Sequence, residues 1–235
     1  MSHEQSTTCF FCTNPELGVL SEEESGHANR VLRLKTGDAI QILDGHGSKF
    51  DAVITNIAGK IVHFSIQNKQ ESLRPKTRLH LVISPTKNID RFLTVVEKTT
   101  EIGVAEITPV ICQNSERNKL NHDKIQKAAI AAIKQSGNPF LPIINELVTL
   151  KKFLAQNDNK VGRFIAHCSP DKEKVPFGSV CGNSADCVIL IGPEGDFSPE
   201  EINFAMEKGY IPVSLSENIL RSETAGIVAC CIALS

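Results

Sequence analysis

The pattern of apolar and polar positions changes character once along this chain. Ala39 to Leu43, Lys49 to Asn56 and Lys60 to Ile66 are short alternating runs, parted by Asp44-Gly45-His46-Gly47 and by Gly59. Such runs between glycine turns predict three strands of a small antiparallel sheet or barrel. Ahead of them, Glu22 to Asn29 predicts a brief helix and Lys35 to Asp38 a turn. Gln67 to Pro75 is polar, loses periodicity and ends in proline, which marks a boundary between a first domain, 1–72, and a second, 73–235.

Beyond that boundary the period lengthens. Arg78 to Ser84 is a compact apolar run of strand length, after which Ile89, Phe92, Leu93 and Val96 recur at helical spacing up to Gly103. Glu106 to Cys112 returns to strand. His122 to Ser136 predicts a helix with Ile125, Ala128, Ala129, Ala132 and Ile133 on one side and Lys124, Lys127 and Lys134 toward solvent. Thr149 to Ala155 reads as helix, while Arg163 to His167 and the wholly apolar Cys187 to Ile191 read as strands. Ser198 is placed to cap the next helix, Pro199 suits its first position, and Glu201 completes a capping box. That helix ends at Gly209, Ile211 to Leu215 is a strand, and Thr224 to Leu234 is a buried or interface helix. Strands alternating with helices predict an α/β domain with a parallel sheet.

At 235 residues and 41% hydrophobic content the chain can bury a sizeable core. A net charge of −2 excludes a globally basic nucleic-acid coat, so any contact with phosphates needs local asymmetry. Residues 1–70 hold six Lys/Arg against eight Asp/Glu, whereas residues 74–98 hold six against two. The second domain is therefore the better candidate for meeting phosphates. Of the eight cysteines, Cys9 and Cys12 form one CxxC with no second pair at zinc spacing, so no metal is expected. No run reaches the roughly 18 apolar residues of a membrane span, and no secretory leader is visible, which predicts a cytoplasmic protein.

Two loops carry the candidate chemistry. Leu190-Ile191-Gly192-Pro193-Glu194-Gly195-Asp196-Phe197 turns at the C-terminal end of a strand, where open α/β sheets bind ligands. It is neither a dinucleotide fingerprint nor a Walker loop, and Glu194 and Asp196 would repel a phosphate. An adenosine-bearing ligand with a cationic sulfonium in place of phosphates suits it better, although a capped turn without a ligand would look similar. Leu215 to Gly226 also follows a strand and precedes a helix, so the two loops can wall one pocket. Arg221 near a helix start is unfavourable for the macrodipole and calls for an anion, either Glu223 or an RNA phosphate.

The chain resembles the bacterial enzymes that methylate N3 of a uridine in small-subunit ribosomal RNA, members of the trefoil-knotted methyltransferase superfamily. The matching pieces are HANRVLRLKTGD (27–38), ILDGHG (42–47), SPTKNIDRF (84–92), EKTTEIGVAEITPV (97–110), IKQSG (133–137), LIGPEGDFSPEE (190–201) and LSENILRSETAG (215–226). The resemblance implies a PUA-like β-barrel that binds RNA, a C-terminal trefoil-knotted methyltransferase domain and a homodimer. It implies that S-adenosylmethionine is held by Leu190, Ile191, Gly192, Pro193, Glu194 and Gly195 on one loop. On the other loop the implied contacts are Leu215, Ser216, Asn218, Ile219, Leu220, Arg221, Thr224 and Ala225. The family commonly has a glycine where Asp196 stands, a glycine-arginine pairing near Ser216 to Asn218, and an arginine at Asn138.

Methylating N3 of uracil requires in-line placement of the methyl donor and removal of the N3 proton. Arg221 is the candidate for stabilising charge on the uracil oxygens, and Glu101, which shares a helical face with Glu97, is a candidate base. Arg30, Arg33 and Lys35 in the first domain and Lys87, Arg91 and Arg117 in the second are the candidate contacts to 16S ribosomal RNA, free or within the small subunit. Two alternatives are a related RNA base or ribose 2′-O-methyltransferase, and a non-catalytic RNA-binding or ribosome-assembly protein.

Overall fold

Phe10, Ile40, Ile42, Phe50, Ala52, Ile54, Val62 and Phe64, spread over four strands, pack with Leu20 and Ala28 into one core. That core belongs to the first of two units in a computed structural model, which describes residues 7–155, 162–170, 173–183 and 185–235. The strands are β1 (Cys9–Phe11), β2 (Ala39–Leu43), β3 (Ser48–Ala58) and β4 (Ile61–Glu71), with α1 (Glu22–Gly26) between the first two. β1 pairs with β2 in parallel, and β2–β3 and β3–β4 pair antiparallel. In the ladder β1 and β4 are the outer strands, and the segment after β1 returns along β4: Val19 bridges His63, Leu20 N donates to the Val62 carbonyl at 3.0 Å and Phe64 N to that of Gly18 at 2.8 Å, as a barrel-like closure requires.

Several boundaries differ from the sequence reading. The helix over Glu22 to Asn29 stops at Gly26 and gives way to a π-helical turn, His27–Val31. β4 runs through Glu71 and takes up most of the expected Gln67 to Pro75 boundary. Its second half is polar because both of its faces meet solvent, while its backbone still pairs with β3. The segment Ile130–Leu141 groups with the first unit, not with the second as a division at residue 72 has it. Within that unit the Gly47 N–H donates to the Pro139 carbonyl at 3.0 Å and the Leu141 N–H to that of Gly45 at 2.9 Å. Gly47 has φ of 113°, and a Cβ there would sit 2.5 Å from the Phe140 ring. Lys134, expected in solvent, pairs instead with the buried Glu24 at 2.6 Å.

The second unit follows the strand–helix alternation. Its elements are β5 (Arg78–Ile83), α2 (Ile89–Ile102), β6 (Glu106–Ile111), α3 (His122–Ser136, whose last turns group with the first unit), β7 (Ile143–Ile144) and β8 (Val148–Thr149). They continue with α4 (Leu150–Ala155), β9 (Gly162–Ala166), β10 (Val175–Pro176), α5 (Phe177–Val180), β11 (Asp186–Ile191), α6 (Pro199–Glu207), β12 (Ile211–Ser214) and α7 (Ser222–Leu234). The order is β10-β12-β9-β11-β5-β6-β7, every pairing is parallel, and β8 joins β6. β7, β8 and β10 are two-residue strands, too short to impose a period, and the sequence does not announce them.

Helices cover both faces of this sheet, as an all-parallel sheet requires. Val82, Val188, Leu190 and Ile165 meet Phe153 of α4 and Ile202 and Ala205 of α6 on one face. α2 and α7 pack on each other, and α7 also meets β5 and β11 on the other face. Gly226 allows that approach, since a Cβ there would lie 2.9 Å from Cδ1 of Ile83 and 3.3 Å from Cγ1 of Val95. The expected capping box of α6 is present: Glu201 N donates to Ser198 Oγ at 3.2 Å, and Ser198 N to Glu201 Oε2 at 3.0 Å. The result is a small β domain joined to a Rossmann-like α/β domain.

Candidate active site

A cavity of about 730 Å3 opens at the C-terminal ends of β9, β11 and β12, where ligands bind in open parallel sheets. Ile191, Gly192, Pro193, Glu194 and Asp196 form one wall, and Leu215 to Ser222 with Glu223 and Ala225 form another. Ala166, His167, Cys168, Pro170 and Lys174, after β9, form a third, while Val213 and Ser214 end β12 beneath it. Arg91 joins from α2.

The loops are tied to one another by side chains that accept backbone N–H groups. Glu194 Oε1 accepts from Lys87 N at 3.0 Å, holding the turn after β5. Asp196 Oδ2 accepts from Cys168 N at 2.8 Å, holding the turn after β9. Glu201, already in the capping box, accepts from Gln113 N at 2.8 Å, and Asn114 Nδ2 donates to the carbonyls of Gly195 and Asp196 at 3.0 Å each. Four strand ends are thereby fixed around one opening. The two carboxylates that sequence reading took as phosphate repellents also do structural work on neighbouring backbone. Asp196 has φ of 59°, the left-handed region, which explains why a glycine suits this position in the resembling family.

The expected site residues divide. Ile191, Gly192, Pro193, Glu194, Leu215, Ser216, Asn218, Ile219, Leu220, Arg221 and Ala225 all line the cavity. Leu190, Gly195 and Thr224 do not. Leu190 is fully buried in the sheet core, Thr224 is exposed on α7, and a Cβ at Gly195 would press on Cβ of Asn114 at 3.1 Å. Arg221 is exposed and, among the described residues, forms no ion pair; Glu223 pairs instead with Arg91, Nη1 to Oε1 3.6 Å. Glu101 lies outside the cavity lining, one turn from its partner Lys98, Nζ to Oε1 2.8 Å. Arg117 is committed to the carbonyls of Thr86 at 3.1 Å and Lys87 at 2.6 Å, and Lys87 Nζ pairs with Glu116 at 2.7 Å. Arg30, Arg33 and Lys35 belong to the first unit, where Val31 and Leu32 beside them are exposed.

The third wall is what the sequence reading missed. Arg163 to His167 is recognisable as a strand, and its C-terminal end was open to the same argument that selected the other two loops. Cys168 in that wall has its thiol pushed above the ordinary value, first by burial and then by the charge of Asp196. Cys112, buried just after β6, is pushed up to about 12, mainly by burial.

Comparison with known proteins agrees with this geometry. The RNA methyltransferase domain family matches residues 73–234, and the RNA methyltransferase PUA domain matches residues 20–67. The ribosomal RNA small subunit methyltransferase E of Buchnera aphidicola from Acyrthosiphon pisum is 30% identical over 219 residues, 89% of this chain and 84% of that protein. The chain belongs to the ribosomal RNA small subunit methyltransferase E family. A crystal structure of a probable rRNA-methyltransferase from Porphyromonas gingivalis is 35% identical with a TM-score of 0.87, covering 95% of each chain. A ribosomal RNA small subunit methyltransferase E from Neisseria gonorrhoeae, solved with S-adenosyl methionine bound, is 26% identical with a TM-score of 0.83 and covers 96% of this chain and 95% of its own. Methyltransferase E relatives thus match both units and not the catalytic domain alone.

Proposed function

We propose that this chain transfers a methyl group from S-adenosylmethionine to N3 of a uridine in 16S ribosomal RNA. The observation that carries the reading is the cavity itself: two loops that resemble the uridine-N3 enzymes, brought together at three strand ends in a chain of the methyltransferase E family. Its volume lies within the roughly 300–1,000 Å3 of small-molecule sites. Its lining mixes turn backbone with both charge signs, which suits a ligand carrying adenosine, an ammonium and a carboxylate.

Ile191 to Glu194 and Leu215 to Leu220 would hold the cofactor through turn backbone, with Ala225 closing the floor. Bound there, S-adenosylmethionine supplies an electrophilic methyl on a sulfonium sulfur. Arg221, exposed at the mouth and unpaired among the described residues, would stabilise negative charge on the uracil oxygens. Glu101 does not fit the base role from its place beside Lys98. The functional division at residues 1–72 and 73–235 assigns Arg30, Arg33 and Lys35 to RNA backbone contact from the PUA-like domain. Lys87 serves the methyltransferase domain in the same way, while Arg91 is taken up by Glu223 at 3.6 Å and Arg117 supports the Thr86–Lys87 turn.

β11 lies between β5 and β9, both earlier in the chain, and after β12 the chain returns so that α7 packs on β5. This course supports the trefoil knot that the resemblance implies, and α7, exposing Cys231, suits a homodimer contact. No helix of the described residues is long and apolar enough to cross a membrane, in keeping with a cytoplasmic enzyme. Methyl transfer to small ribosomal subunits, with the product nucleoside mapped, tests the reading.

A further inference from the structure

The uridine-N3 reading leaves one step without a residue, because the ring N–H must lose its proton and Glu101 is not in the cavity lining. Glu223 is. It stands in the first turn of α7, two residues after Arg221, and its side chain is only 16% exposed. Oε1 faces Nη1 of Arg91 from α2 at 3.6 Å, and Oε2 is buried with no hydrogen-bond partner among the described residues. A buried carboxylate oxygen left without a donor is unusual and calls for an explanation, most simply a group that arrives with the ligand.

Resting on that reading, we propose that Glu223 is the proton acceptor for uridine N3 and that Arg91 is its positioning residue. Glu194, Asp196 and Glu217 also line the cavity. Glu194 and Asp196 are already committed to the N–H groups of Lys87 and Cys168. Glu217 is exposed on the tip of its loop. Glu223 alone among these combines burial, an oxygen without a donor and a cation that fixes the carboxylate. Arg221 next to it would face the uracil oxygens while Glu223 faces the ring N–H, a donor and an acceptor matched to the edge of uracil. In the step, the N3–H bond breaks and its proton passes to the Glu223 carboxylate. The nitrogen electron pair forms the bond to the methyl group, and the sulfonium sulfur keeps the pair of the bond that breaks.

The test compares the wild type with Glu223→Gln, Glu223→Asp and Arg91→Lys, using labelled S-adenosylmethionine and small subunits that lack the modification. Cofactor affinity by calorimetry, thermal unfolding, and single-turnover rate as a function of pH are read for each. For Glu223→Gln we expect cofactor affinity within about threefold of wild type and a transfer rate about 100-fold or more lower. The remaining rate should climb with pH, as solvent hydroxide takes over the proton. Glu223→Asp should keep part of the rate, and Arg91→Lys should lower the rate more than it alters substrate affinity. A Glu223→Gln enzyme as fast as wild type, or one whose loss of rate is matched by loss of cofactor binding or of folding in both Glu223 variants, overturns the assignment. Wild-type label on an atom other than uridine N3 overturns the functional reading itself and the assignment with it, whereas N3 label with an indifferent Glu223 overturns the assignment alone.

Discussion

The carboxylate of Asp196 accepts the backbone N–H of Cys168 at 2.8 Å, which joins the loop after β11 to the loop after β9. The other carboxylate oxygen accepts the N–H of Phe197 at 2.9 Å, so the side chain is fixed at both ends. It does this from φ of 59°, a conformation that short polar side chains tolerate better than most and glycine best. The residue that departs from the resembling family thus exchanges backbone ease for a tie across the cavity. Asp196→Ala gives up the tie and keeps the strain, and should weaken S-adenosylmethionine binding by about tenfold, the scale of one charge-assisted hydrogen bond. Asp196→Gly should lose cofactor affinity equally while remaining closer to wild type in urea unfolding. Calorimetry that finds both variants binding as wild type would show that the third wall stands without this bond.

Cys168 offers a chemical probe of the same wall. The residue is exposed and lines the cavity, while its partly buried thiol is raised above the ordinary value first by that burial and then by Asp196. The thiolate is the reactive form, so alkylation should take hold at higher pH than for a free thiol. Asp196→Asn removes the second cause and should move that onset down. Saturating S-adenosylmethionine should slow labelling at Cys168 and leave the half-exposed Cys12 of the first unit unaffected, read by peptide mass spectrometry. Equal labelling of Cys168 with and without cofactor would contradict its place in the site.

Much of this architecture is legible in the sequence, for identifiable reasons. β5, α2, β6, α3, β11 and α6 fall within a residue or two of their expected bounds, because each has a full period of buried positions or a capping signal such as Ser198-Pro199-Glu201. The glycine loop and the Leu215 loop are recognisable because each follows an apolar strand. What the sequence hides is assembly. Nothing near Lys134 announces Glu24, 110 positions away, and nothing near Glu223 announces Arg91. The closure of the first unit is hidden too, since strand periodicity does not say that Gly18 to Leu20 pair along β4.

Gly226 tests the packing of α7 on the sheet. A side chain there meets Ile83 at 2.9 Å and Val95 at 3.3 Å, both in the core beneath the cavity. Gly226→Val should destabilise the fold by about 1–3 kcal/mol through overpacking. Urea unfolding at neutral pH measures this, and a variant as stable as wild type would mean that α7 can lift from β5 freely.

Arg221 separates catalysis from folding. It is exposed and, among the described residues, forms no ion pair, so Arg221→Ala should leave the unfolding midpoint nearly unchanged. The same substitution should lower the rate of methyl transfer by about 100-fold or more, the scale of removing one preorganised donor. Parallel loss of folding and activity would remove Arg221 from the chemistry.

The most direct measurement incubates the protein and labelled S-adenosylmethionine with small ribosomal subunits from a strain lacking the modification, then digests the RNA and identifies the labelled nucleoside by mass spectrometry. The account predicts 3-methyluridine at a single position of 16S ribosomal RNA. Label on a ribose 2′-oxygen or another base, or a protein that binds the subunit but no S-adenosylmethionine, would contradict it.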